Sequence, residues 1–139
     1  MKNIILIVVS SFFLGCTSSI SREELKNLNG YWEIGQVVFP DGNTKQYKMN
    51  TNIDYIQMEN LQGYRKKVQP RLNGTYETSD DAEVFLISER DGSFYVNYKT
   101  ELSEWSEKLV ALDADSFSVI NEEGLRYEYK RFEPISIAQ

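Results

Sequence analysis

Residues 28–47 read LNGYWEIGQVVFPDGNTKQY, and the build of this stretch decides the fold. From Gly30 to Phe39 the chain is rich in aromatic and β-branched residues, which suit a half-buried extended strand. Pro40-Asp41-Gly42-Asn43 then stops the strand, because Pro presets one turn angle while Asp, Gly and Asn tolerate the others. A strand followed at once by such a turn doubles back on itself. The Trp, set just behind a Gly at the strand's entry, points to a closed end that has to be plugged.

Working outward, turn sequences recur roughly every 8–14 residues, the spacing of an all-β sandwich or barrel. They are PDGN at 40–43, KMNTN at 48–52, NLQG at 60–63, LNG at 72–74, SDD at 79–81, RDG at 90–92, DADS at 113–116 and NEEG at 121–124. The β-rich runs between them make about eight to ten short strands. Only SREELKNLN, at 21–29, leans toward helix, for about two turns. Phe94, Val96 and Tyr98 share one face while Ser93, Tyr95, Asn97 and Lys99 share the other. Such alternation belongs to antiparallel sheets, and short consecutive connections favour an up-and-down meander. With no helix to cover its inner face, a meander of this length is best stabilised by closing. The expectation is therefore an all-β, small antiparallel up-and-down barrel of about eight strands with a short N-terminal helical turn.

The chain has 139 residues, enough for one domain. A formal net charge of -6 argues against nucleic acid as a partner, since phosphate binding needs a clustered basic surface. One Cys and no His leave no intrachain disulfide, no imidazole base and no imidazole metal ligand. The expectation is no metal, no cofactor and no catalytic site.

The segment MKNIILIVVSSFFLGC opens with Lys2, runs apolar from Ile4 to Leu14 and ends on Gly15-Cys16. The run falls short of the ~20 residues that span a bilayer and has the proportions of a secretory signal. The plain alternative is a buried first strand with an ordinary core Cys. FLGC resembles the lipobox of bacterial lipoproteins, with Phe13 in place of the usual Leu and Leu14 in place of a smaller residue. That resemblance implies a signal peptide over 1–15, lipidation of Cys16 and a polar tether over 16–27. With no Asp after Cys16, it further implies a lipid-anchored protein sorted to the outer membrane, and the lack of an acidic cluster beside the Cys favours facing the periplasm over surface display.

Gly30-Tyr31-Trp32 resembles the Gly-x-Trp start of lipocalins, which a short helical turn precedes. The whole mature part is similar to the short lipocalin-like lipoproteins of Bacteroidetes, through Leu28 to Trp32, Pro40-Asp41-Gly42, Gly74-Thr75-Tyr76 and Tyr127 to Arg131. The likeness spans about Leu28 to Phe132 and implies a barrel domain over 28–134. It also implies an Arg from the last strand lying across the Trp32 ring, Arg131 first and Arg126 second. Gly30, Trp32 and Arg131 are thereby assigned to barrel closure.

Candidate binding residues divide into cations and aromatics. In YRKKVQPRL, at 64–72, a strand places Arg65, Lys67, Gln69 and Arg71 on one face. They form either an anion-contacting surface or a charged edge strand guarded by Lys and Pro70. Asp54 is either an inward carboxylate paired with Arg65 or Lys67, or a surface group. Glu101, Glu104 and Glu107 read as solvated. The aromatics Tyr55, Tyr64, Tyr76, Phe85, Phe94, Tyr98, Trp105, Phe117, Tyr127 and Tyr129 either wall a pocket or fill the interior. Two functions stay in view. One is binding of a small apolar or amphipathic ligand by Tyr98, Trp105 and Tyr127, with Arg65 or Lys67 on an anionic end. The other is a filled-core scaffold meeting a protein or glycan through its outer face.

Overall fold

The structure is a computed structural model that describes residues 19–48 and 50–133. The expected signal peptide, Cys16 and most of the tether lie outside the described residues. A 3-10 turn over Arg22–Leu28 comes first, and nine strands follow. These are β1 (Gly30–Val38), β2 (Thr44–Gln46), β3 (Ile53–Glu59), β4 (Gln62–Pro70), β5 (Tyr76–Arg90), β6 (Ser93–Lys99), β7 (Glu104–Leu112), β8 (Ser116–Asn121) and β9 (Arg126–Arg131). All neighbours pair antiparallel in chain order from β3 to β9, and β1 bonds to β3 on one side and β9 on the other. Eight strands thus close into an up-and-down barrel, with β2 a three-residue addition along the far half of β1. This is the architecture that the resemblance implied.

Two runs expected as separate strands, TYETS and EVFLIS, form the single long strand β5. The SDD stretch makes no reversal. Lys66 pairs with Ala82 and Val68 with Thr78, so β5 passes residues 79–81 where β4 passes only Lys67. Such an irregularity bends a strand without ending it. Beyond it Tyr76 stacks on Tyr31 at 4.2 Å, and Tyr31 meets Tyr55 at 4.8 Å, all outside the barrel. A second correction concerns β4, which lies between β3 and β5 inside a closed sheet and has no free edge to guard.

Alternation fixes what fills the interior. Trp32, Ile56, Phe85, Ile87, Phe94, Val96, Leu109, Phe117 and Val119 make one buried apolar core with Leu25 and Leu28 of the 3-10 turn. Phe117 meets the Trp32 ring edge-on at 4.7 Å and stacks on Tyr129 at 4.6 Å. At ~25 cal/mol for each Å² withdrawn from water, burying these large side chains is the main stabilising contribution.

The turn that carries Leu25 and Leu28 is fixed by a reciprocal cap. Ser21 Oγ accepts from Glu24 N, while Glu24 Oε2 accepts from Ser21 N at 3.0 Å. Trp32 is fully buried, and its Nε1 donates to Leu28 O at 2.8 Å, so the plug is locked to the turn beneath it. Gly30 explains itself here. It has a φ of 121°, and a Cβ on it would lie 2.4 Å from Arg131 Nη1. Only glycine combines that backbone angle with that close approach.

Candidate functional site

Above the apolar core the inner face turns polar. Register places Asp54, Arg65, Lys67, Glu83, Tyr98, Trp105 and Glu107 on the inner face with Ile56, Phe85 and Val96. Arg65 is the hub. Its Nη2 donates to Glu83 Oε2 at 3.0 Å, its Nη1 lies 3.7 Å from Glu107 Oε1, and its guanidinium sits 4.5 Å over the Tyr98 ring. Tyr98 in turn stacks on Trp105, 5.0 Å between centroids and 12° between planes. Lys67 Nζ reaches to 2.5 Å from Asp54 Oδ1.

Exposure orients this layer. The side chains of Arg65, Glu107 and Asp54 are deeply buried, whereas Glu83 keeps 28% and Lys67 60% of its side chain in solvent. Solvent therefore reaches this layer at Lys67 and Glu83, while Asp54 lies beside Trp32, its register partner in β1. Of the five predicted ligand residues, Arg65, Tyr98 and Trp105 touch in sequence, and Lys67 joins through Asp54. Tyr127 is elsewhere on the inner wall, paired with Val119 and packed against the apolar core.

Burial works against the charge of Arg65, but Tyr98, Glu107, Tyr129 and Asp54 around it outweigh that cost and hold the guanidinium above its ordinary value. Burial pushes Glu107 up, opposed by Arg65, whose contact with it is long. Burial likewise raises the Tyr98 and Tyr129 phenols, so both stay neutral well past their usual range. The Arg65 Nε has no hydrogen-bond partner, and Asp54 Oδ1 has its ion pair without an aligned hydrogen bond.

One expectation changes and one alternative is decided. Glu107 is buried against Arg65 while Glu104 stays at the surface with Lys99, because successive positions of β7 face opposite ways. Asp54 takes the inward alternative, paired with Lys67. Glu83 was not among the expected site residues, although its place two residues before Phe85 puts it on the inner face by alternation. Tyr55, Tyr64 and Tyr76 belong to the outer face, whereas Phe85, Phe94, Tyr98, Trp105, Phe117, Tyr127 and Tyr129 line the interior. Arg71, beyond β4, pairs with Glu77 outside.

Around Trp32 the base of the barrel is closed. Arg131 Cζ stands 4.0 Å over the Trp32 ring, and the guanidinium donates to Ala114 O, Asn29 O and Asn27 O. Arg126 pairs with Glu128 and takes no part. On the outer face, an open groove of about 690 Å³ crosses β5 to β7 beside the exposed Val84 and Leu86. Among the described residues no three His, Cys, Asp or Glu side chains are gathered to hold a metal ion. No helix among them is long and apolar enough to cross a membrane.

No family model and no curated protein sequence matches the chain. Among solved structures, a lipocalin-like protein from Bacteroides uniformis is similar at 12% identity, over 76% of this chain and 99% of that one, with a TM-score of 0.49.

Proposed function

We propose that this chain is a lipid-anchored outer-membrane protein, facing the periplasm, whose barrel binds a small amphipathic molecule at its open end. The observation that carries the reading is the polar layer itself. Five ionisable side chains, Asp54, Arg65, Lys67, Glu83 and Glu107, are drawn onto the inner wall beside an aromatic stack. Withdrawing charges from water costs several kcal/mol each before pairing offsets it, and apolar residues would stabilise a barrel more simply. Clustered, mutually perturbing charged groups that solvent reaches are candidates for a binding or reacting surface. Binding is the better reading of the two, because each carboxylate here faces a cation and the chain has no His to act as a base. The Tyr98–Trp105 stack supplies the apolar wall, and the charged residues set the polar end. Cys16, on the lipobox resemblance, carries the acyl chains that hold the domain to the membrane.

Native mass spectrometry of the protein taken from its own envelope tests the pocket, with a co-purifying small molecule as the expected result. Metabolic labelling with radioactive palmitate tests the anchor, and the label should disappear in Cys16→Ala. A second reading rests on the outer groove, where Val84 and Leu86 stand in solvent and would suit contact with a protein or glycan. Loss of partner capture in Leu86→Asp, with ligand binding intact, would favour it.

A further inference from the structure

We infer that the polar layer receives a cationic amine, with Asp54 as its counter-charge and Lys67 as a built-in occupant whose place the ligand's ammonium takes. The inference rests on the ligand-binding reading above and names the class of molecule bound. It runs against the intuition that Arg65 and Lys67 would draw an anion.

The charge count comes first. Asp54, Glu83 and Glu107 face Arg65 and Lys67, three carboxylates against two cations, so the layer carries a negative surplus when all are ionised. Arg65 is already committed through its two terminal nitrogens, Nη2 hydrogen-bonded to Glu83 and Nη1 facing Glu107, and only its buried Nε is unpaired. An incoming carboxylate or phosphate that took the terminal nitrogens of Arg65 would leave buried carboxylates without a cation, a strongly unfavourable exchange. An ammonium meets no such obstacle.

The second observation is the asymmetry of the Lys67–Asp54 pair. Asp54 is held in the wall, its side chain only 4% exposed, at the register position opposite Trp32. Lys67 keeps 60% of its side chain in solvent and touches Oδ1 with its tip alone, with no aligned hydrogen bond. A buried carboxylate is thus neutralised by a flexible, hydrated ammonium reaching in from outside. Releasing Lys67 to water costs little, and a ligand ammonium can take over the contact. Burial is the main cause of the raised Tyr98 and Glu107 pKa values, and the charge of Asp54 adds to both.

The test is calorimetric titration of the full chain with hexylammonium, hexanoate and hexanol. Hexylammonium should bind most tightly. Lys67→Met, which keeps the stem and removes the charge, should tighten it about tenfold, equivalent to about 1.4 kcal/mol. Lys67→Arg should stay near the parent, since a cation again covers Asp54. Adding Asp54→Asn to Lys67→Met should erase the gain, and circular dichroism melts show which variants are folded. Should Asp54→Asn fail to fold, the ratio of hexylammonium to hexanoate affinity in parent and Lys67→Met still decides. Hexanoate or hexanol binding as tightly as the amine, or a gain that survives Asp54→Asn, overturns the inference and leaves the ligand-binding reading standing. No binding of any probe to any folded variant overturns both.

Discussion

Arg131 lies with its guanidinium 4.0 Å above the indole of Trp32, while that indole donates to Leu28 O in the turn below. The two residues are also register partners in β9 and β1, so one contact seals the base and the seam of the barrel together. Removing the plug should cost what the loss of a large buried aromatic costs. Trp32→Ala is expected to lose about 3–5 kcal/mol. Arg131→Lys keeps the charge and loses the fork that reaches three carbonyls, for about 1–3 kcal/mol. Urea unfolding measures both, and a Trp32→Ala protein as stable as the parent would refute the plug.

Gly30→Ala tests the same corner from the backbone side. The added methyl meets Arg131 Nη1, which is held by Asn29 O and cannot simply swing away. With a positive φ imposed on alanine as well, a loss of about 2–3 kcal/mol is expected. Gly42→Ala, also at positive φ but with open space around it, should cost less. Equal losses at the two sites would remove the role given to the Gly30–Arg131 approach.

Glu107 should leave a signature in the pH dependence of stability. Burial raises its folded pKa above the unfolded value, so the unfolded chain gives up this proton first as pH rises. Stability from this group is therefore full below the ordinary carboxylate value and declines as pH climbs through the raised one. Glu107→Gln removes the titration. The Tm difference, variant minus parent, should grow between about pH 4 and pH 7. A difference that stays flat across that window contradicts the buried placement.

Tyr98 and Tyr129 behave alike at the alkaline end. Both phenols are raised mainly by burial, so stability falls once pH passes the ordinary tyrosine value of about 10. In a spectrophotometric titration these two phenolates should appear late, together with loss of the folded circular dichroism signal. Tyr98→Phe should shrink the late step. Two early, independent phenolates would place the rings in water.

Much of the base of the barrel was legible in the sequence, because its parts are local and chemically singular. Gly30 and Trp32 sit two apart, the capping residues Ser21 and Glu24 sit three apart, and Arg131 ends a run of clean alternation. The polar layer was only half legible. Arg65, Lys67, Tyr98 and Trp105 stood out by residue type, but nothing along the chain says that Glu83 and Glu107 meet the same guanidinium. Those contacts arise from pairing β4 with β5 and from curvature that carries β7 toward β4. Single-strand alternation does foretell which way Glu83 points, once Phe85 is known to be inside. The passage through residues 79–81 was misread, since polar residues that make a turn in one setting make an irregular strand in another.

The pairing of β1 with β9 has a consequence for how the molecule comes into being. Every other strand pairing of the barrel joins strands consecutive in the chain, or β1 to β3 across β2, but this one waits for β9. A polypeptide lacking it is an open ribbon with unpaired amides along both margins, prone to pair with other chains. Ring closure over so many residues is entropically slow, and it makes the last strand the latch of the whole assembly.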